Sequence, residues 1–545
     1  MWRLWAIAAA AVLALHLSTA TLSPLAWQDE VQILDWGRGF MPGADQDSAM
    51  SWLYEGRTYR MICYLGCLLQ ETAYQLAGGE MFGPRASSIL GAVLASFAMM
   101  GWLMARGTVP WIALACSLLL LCDPSFTLGY RGARVDSWAI AFMVLACWAG
   151  VCGRRQGAAA GDGRWKMEDG GGESVGQATS DLRSPISYLR SLGWFVITGI
   201  CAGIAGVIWV SAILLLPLLV NELWGREARG EGHKARGAGG ERREARGMRH
   251  TADGIRSAVG ESLRVAFLGT VVVGVAASVS VGLLFLPVWS LVPEMWGDFS
   301  ARGGGQVSRL LDGASWRKLL RSLLGNPLLV PLALVGLLVV RQWGLLLAFL
   351  LAAAMTLYTG PYVHRAVYLL PYILVGLASA GTALWSKDGA ARWMRPALGI
   401  VLLLTLAWSA AISVAGRNFI AWRERAERDT ALVHEWARST VGPSPAKVYL
   451  WTWDWYYAGR QLGWSLYKSF AWENLQDERF TDLLSQMDWL VVAESDPHRP
   501  GDVELAKLGF TRKLRQPESV FATQQPRGKG YGSYLIYGKE HGSSP

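Results

Sequence analysis

Long apolar runs recur through nearly all of the first 415 residues, and they leave this chain few ways to fold. A helix needs about 17 to 25 such residues to cross the hydrocarbon core of a bilayer, and a backbone bathed in lipid must satisfy its own hydrogen bonds, which selects helices. The runs lie near 4–24, 84–104, 109–128, 135–152, 192–208, 209–224, 264–288, 326–341, 343–360, 364–385 and 396–415. They predict an all-α polytopic membrane protein of about eleven transmembrane helices. The pair at 192–224 also reads as one long kinked helix. With 52% hydrophobic residues and 28 Trp in 545, the chain is more apolar than a soluble average.

The net charge of +9 sits in a few loops, which speaks for orientation in the bilayer and against nucleic acid as a partner. Arg3, Arg106, Arg154, Arg155, the run from Arg226 to Arg256, Arg341, Lys387, Arg392 and Arg395 all fall on one side of an eleven-span chain. Positive charge gathers on the cytoplasmic side. Residues 25–83, 129–134, 289–325 and everything after 416 are then expected outside. Ser18-Thr19-Ala20 resembles a signal-peptide cleavage site, but the acidic pair that follows so closely favours an uncleaved anchor.

Two expected domains follow: a membrane domain over 1–415, with a first outer loop at 25–83, and an extracytoplasmic α/β domain over 416–545. The cytoplasmic loops 153–183 and 225–260 are rich in Gly, Arg, Ala and Glu and read as disordered linkers. After 416 a charged helical stretch, Trp422 to Trp436, precedes strand-like runs at Lys447–Trp453, Asp488–Ala493 and Tyr534–Tyr537. Trp451, Trp453, Trp455, Tyr456 and Tyr457 read either as the core of a sheet or as a platform for sugar rings. The seven cysteines are scattered without a C-x-x-C, and no zinc signature is present, so no metal or redox centre is expected. Cys63 and Cys67 share a helical face at a spacing that suits packing better than a bridge.

Three charged clusters fall on the outer side. Asp29 and Glu30 open an amphipathic helix, either as first-turn charges favoured by the helix dipole or as chemistry at the interface. Arg131 and Arg134, with Asp136 beside them, are spaced to share a helical face and suit a phosphate, although snorkelling at the interface also accounts for them. His364 and Arg365, followed by Tyr368, lead a late span from outside; the pair either anchors that helix or faces a lipid phosphate.

The order of these clusters resembles the GT-C superfamily of integral-membrane glycosyltransferases, in particular the protein O-mannosyltransferase-like family that includes bacterial lipid A aminoarabinose transferases. The resemblance rests on the Asp29-Glu30 pair, on Phe82-Gly83-Pro84-Arg85 entering the second span, on Pro124 followed by Arg131 to Asp136, on the Arg365 to Pro371 stretch, and on the outer C-terminal domain. It covers nearly the whole chain. The chain departs from the family in lacking a Lys-Pro-Pro-Leu stretch, where Arg57 and Arg60 stand instead. It also lacks a Thr-Lys pair near the turn held here by Trp209-Val210.

What the resemblance implies is inverting transfer of a sugar from a polyprenyl-phosphate donor to an acceptor hydroxyl on a lipid, glycan or protein, in a bacterial inner membrane. Asp29 would be the base and Glu30 would orient it or the acceptor. Arg131, Arg134, Arg365, Arg57 and Arg60 would meet the leaving phosphate, while Asp136, His364, Tyr368 and Arg85 would support the substrates. No cofactor is required if arginines neutralise a monophosphate, though Asp29 with Asp136 could hold a divalent metal. A multi-spanning lipid or sugar transporter would also be long and apolar, but would show an internal repeat or charge at the midplane. A catalytically dead scaffold is the third reading.

Overall fold

The computed structural model describes residues 1–41, 59–162, 177–224, 244–293, 308–323, 325–360, 362–386, 394–468, 474–517 and 531–539, without the side chains of 59–60, 158–162, 177–187, 244–262 and 339. Each expected apolar run is a helix or a helix pair. Six helices are long and apolar enough to cross a membrane: Phe82–Ala105, Asp136–Gly157, Tyr188–Ile208, Leu263–Leu291, Val363–Ser386 and Met394–Arg423. Pro110–Cys122 and Pro124–Arg131 form a seventh candidate, bent by 51°. The shorter apolar helices Trp2–Leu17, Val210–Trp224, Leu329–Leu338 and Trp343–Thr359 occupy the remaining runs. The chain is a multi-pass membrane protein.

Breaks between helices have local causes. Asp123 is extended, and its carboxylate accepts the backbone N–H groups of Ser125 and Phe126, each at 2.9 Å, while Pro124 takes the first helical position. That cap ends one helix and starts the next. Trp209 is also extended, so the pair at 192–224 is two elements rather than one kinked helix. The backbone is helical at Asp136–Asp162, Gln177–Ile208 and Glu244–Phe285, further into the two basic loops than a disordered linker allows. The rest of those loops lies outside the described residues.

Contacts between helix ends fall into two sets. Arg106 pairs with Glu222, and the backbone N–H of Val109 donates to Thr382, all expected at cytoplasmic ends. Ser125 donates to the Ser322 carbonyl at 2.9 Å, and Lys318 lies over the Tyr362 ring, all expected at outer ends. Cys63 and Cys67 face each other at 3.1 Å between sulfurs and are unbridged.

Beyond Arg423 the chain forms a five-stranded sheet of order β2-β1-β3-β5-β4, with β1 Lys447–Leu450, β2 Ser465–Tyr467, β3 Trp489–Ala493, β4 Phe510–Gln516 and β5 Tyr534–Lys539. β1 pairs in parallel with β2 and β3, and β5 runs antiparallel between β3 and β4. The parallel pairs need crossovers, supplied by helices Tyr456–Gln461 and Glu478–Ser485. Residue alternation sorts the two faces. Val448, Leu450, Val491 and Ile536 pack together with Val31 and Leu34 of the membrane domain, while Tyr449, Leu490, Val492 and Leu535 pack on Phe480 and Leu505. The expected helix Trp422–Trp436 is broken instead, with Asp429 capping a fresh helix at Thr430–Thr440. Strands β2 and β4 carry too few apolar residues in alternation to stand out in the sequence. Trp451, Trp455, Tyr456 and Tyr457 are buried core, which removes them as a sugar platform; Trp453 alone of the five is partly exposed, with Lys468 over its ring.

Candidate functional site

The Gln28–Arg38 helix begins at extended Trp27, and its first turn carries Asp29 and Glu30, the favourable end for carboxylates. It crosses the Tyr64–Leu76 helix closely enough that a Cβ on Gly37 would strike the Cys67 carbonyl. Consecutive helical residues point about 100° apart, and the two acids part accordingly. Asp29 is 24% exposed and Glu30 is fully buried.

Asp29 pairs through Oδ2 with Nη1 of Arg134, whose Nε donates to Asp136 Oδ2 at 2.6 Å. Arg134 lies in the turn before the Asp136–Asp162 helix, where Ala133 adopts a left-handed conformation (φ 53°). Its guanidinium sits 5.8 Å from the ring centroids of both Trp27 and Trp209, and Trp27 Nε1 donates to the Gly132 carbonyl at 3.1 Å. Burial works against the charge on Arg134, but Asp136 and Asp29 outweigh it and hold its pKa above the ordinary value. Asp136 Oδ1 and the Tyr368 hydroxyl are both buried and interact with one another.

Glu30 does not face this pair. Arg85 clamps it with Nε to Oε1 at 2.8 Å and Nη2 to Oε2 at 2.7 Å, Tyr457 beside the C-terminal sheet donates to Oε1 at 2.7 Å, and Arg85 Nη1 holds the Ala20 and Pro24 carbonyls. Both oxygens of Glu30 are bonded and its side chain has no exposure. It fixes the helix that presents Asp29, and Arg85 supports it.

Arg131 is a second correction. Three residues from Arg134, it points elsewhere, donating to His16 Nδ1 at 2.6 Å, to Asn418 at 2.8 Å, and to Thr19 and the Ser23 carbonyl. Its turn ends the helix at Arg131, so the two arginines share no helical face. Buried there, Arg131 ties three helices together and is not available to a phosphate.

Arg365 donates to the Thr359 carbonyl and lies over the Tyr362 ring, against which His364 stacks at 5.3 Å. The Val363–Ala366 helix packs against the Pro124–Arg131 helix, on the side that carries Arg134, and Arg134, Arg365 and Lys318 all act electrostatically on His364. Arg57 lies outside the described residues, as does the side chain of Arg60. The sequence did not single out Lys318 or Trp27 as site residues; Trp209 stood out there only by its place in a turn, and Tyr457 only as sheet core or sugar platform. Among the described residues, no group of three His, Cys, Asp or Glu side chains is arranged to hold a metal ion.

No protein-family model and no curated protein sequence matches the chain. Among solved structures, it is similar to the archaeal oligosaccharyltransferase AglB from Archaeoglobus fulgidus in complex with an inhibitory peptide and a dolichol-phosphate, at 12% identity and a TM-score of 0.46 over 89% of this chain and 69% of that one. It is also similar to ArnT from Cupriavidus metallidurans bound to undecaprenyl phosphate, at 13% identity and a TM-score of 0.46 over 98% and 97%. ArnT in the apo state gives a TM-score of 0.45 at the same identity and coverage.

Proposed function

We propose that this chain is a membrane glycosyltransferase that moves a sugar from a polyprenyl-phosphate donor to an acceptor hydroxyl at the extracytoplasmic face, with inversion. The observation that carries the reading is Asp29: a partly exposed carboxylate held by a buried arginine at the outer ends of the spans. Arg134 occupies Oδ2, and among the described residues no other side chain bonds Asp29, so Oδ1 is left to accept a proton. In the reaction the acceptor oxygen attacks the anomeric carbon while Asp29 takes its proton, and the bond to the donor phosphate breaks with its electron pair. Asp136 and Asp29 already neutralise Arg134. Arg365 and Lys318, whose charges act on the same His364 as Arg134 does, add cationic charge for the departing phosphate, in a partly dry site where fixed charge acts strongly. The motif order and the basic loops on the opposite side support an inner-membrane protein with its C-terminal domain outside.

The test is Asp29→Asn in purified, reconstituted protein offered a panel of radiolabelled polyprenyl-phosphate sugars with membrane extract as acceptor. Transfer should fall about 10²- to 10⁴-fold with the protein still monodisperse. Transfer that survives the substitution would sink the assignment.

A further inference from the structure

The Gly313–Leu323 helix, between two spans, exposes two stripes side by side. Ser315, Leu319, Ser322 and Leu323 face inward, and the helix packs on the outer ends of Trp343–Thr359 and Val363–Ala366. Trp316 and Leu320, four residues apart, are 45% and 49% exposed. Next around the helix come Arg317 and Arg321, also four apart, and then Lys318 against Tyr362. The one acid among described residues 308–323, Asp312, is spent as a cap: the Ala314 backbone N–H and the Ser315 hydroxyl and backbone N–H hold its carboxyl below the usual range. Arg317, Lys318 and Arg321, with Ala314, bound a cleft of about 460 Å³. Three of its four lining residues are cations.

An exposed Trp and Leu beside a row of cations, on a helix lying across span ends, matches a helix lying in the headgroup plane. We propose that Gly313–Leu323 is an in-plane helix that binds anionic phospholipid headgroups, Trp316 and Leu320 entering the acyl boundary while Arg317 and Arg321 hold a lipid phosphodiester in the cleft. A zwitterionic headgroup brings its own cation and fits this charge poorly. The leaflet bordering the candidate site would thus be locally enriched in anionic lipid, whichever substrate that site takes.

Hydrogen exchange of the full chain in nanodiscs tests this. Exchange over 313–323 should be roughly tenfold slower in phosphatidylcholine containing phosphatidylglycerol than in phosphatidylcholine alone. The difference should vanish in R317Q/R321Q and in wild type at high salt, and persist in R317K/R321K. Equal exchange in the two lipids, a difference that survives both R317Q/R321Q and high salt, or protection reproduced by soluble glycerol phosphate would each overturn the proposal. Should R317Q/R321Q not fold, the salt arm decides.

Discussion

Tyr457, beside the C-terminal sheet, reaches Glu30 at the start of the Gln28–Arg38 helix across 427 positions of sequence and donates to its carboxylate at 2.7 Å. The acid that looks catalytic beside Asp29 is in fact a rivet between domains. Tyr457→Phe removes one hydrogen bond to a buried charge and should cost about 1.5–3 kcal/mol. A lowered thermal midpoint in detergent, with faster proteolytic release of the C-terminal sheet, is the expected reading.

Glu30 and Arg85 are both fully buried. Removing one partner strands the other, so Glu30→Gln or Arg85→Met should each destabilise by about 3–5 kcal/mol. Glu30→Gln with Arg85→Met should cost less than the sum, which a double-mutant cycle of unfolding free energies measures.

A Cβ at Gly132 would run into the indole of Trp27, whose nitrogen bonds the Gly132 carbonyl. The indole has Arg134 on it and little room to shift. Gly132→Ala should therefore cost about 1–3 kcal/mol and lower kcat/KM by moving Asp29. Gly129→Ala, where a Cβ meets nothing within 4 Å, should leave both unchanged.

His434, in the Thr430–Thr440 helix, has its pKa lowered, chiefly by burial, which outweighs the rise from Glu80, with a further lowering from Arg438. A folded-state pKa below the unfolded value means the unfolded chain binds more protons, so stability is full above the unfolded pKa of about 6.5 and is lost as pH falls through the folded one. The thermal midpoint should drop between pH 7.5 and pH 5. In His434→Gln that drop should be smaller.

The sequence by itself determined where the membrane helices fall, because an apolar run is a local property; all eleven runs are helical, and six of them, or seven with the bent pair, are long and apolar enough to cross a bilayer. It also located the acidic pair and the outer arginines, since charge next to hydrocarbon stands out. Tertiary structure decided which of two adjacent acids is exposed and which of two nearby arginines holds it. Asp29 meets Arg134 over a separation of 105 residues, while Arg131 turns to His16 and Asn418 over 115 and 287. Neighbouring side chains diverge around a helix or through a turn. Their partners are then fixed by whichever distant element packs there, which no local pattern encodes.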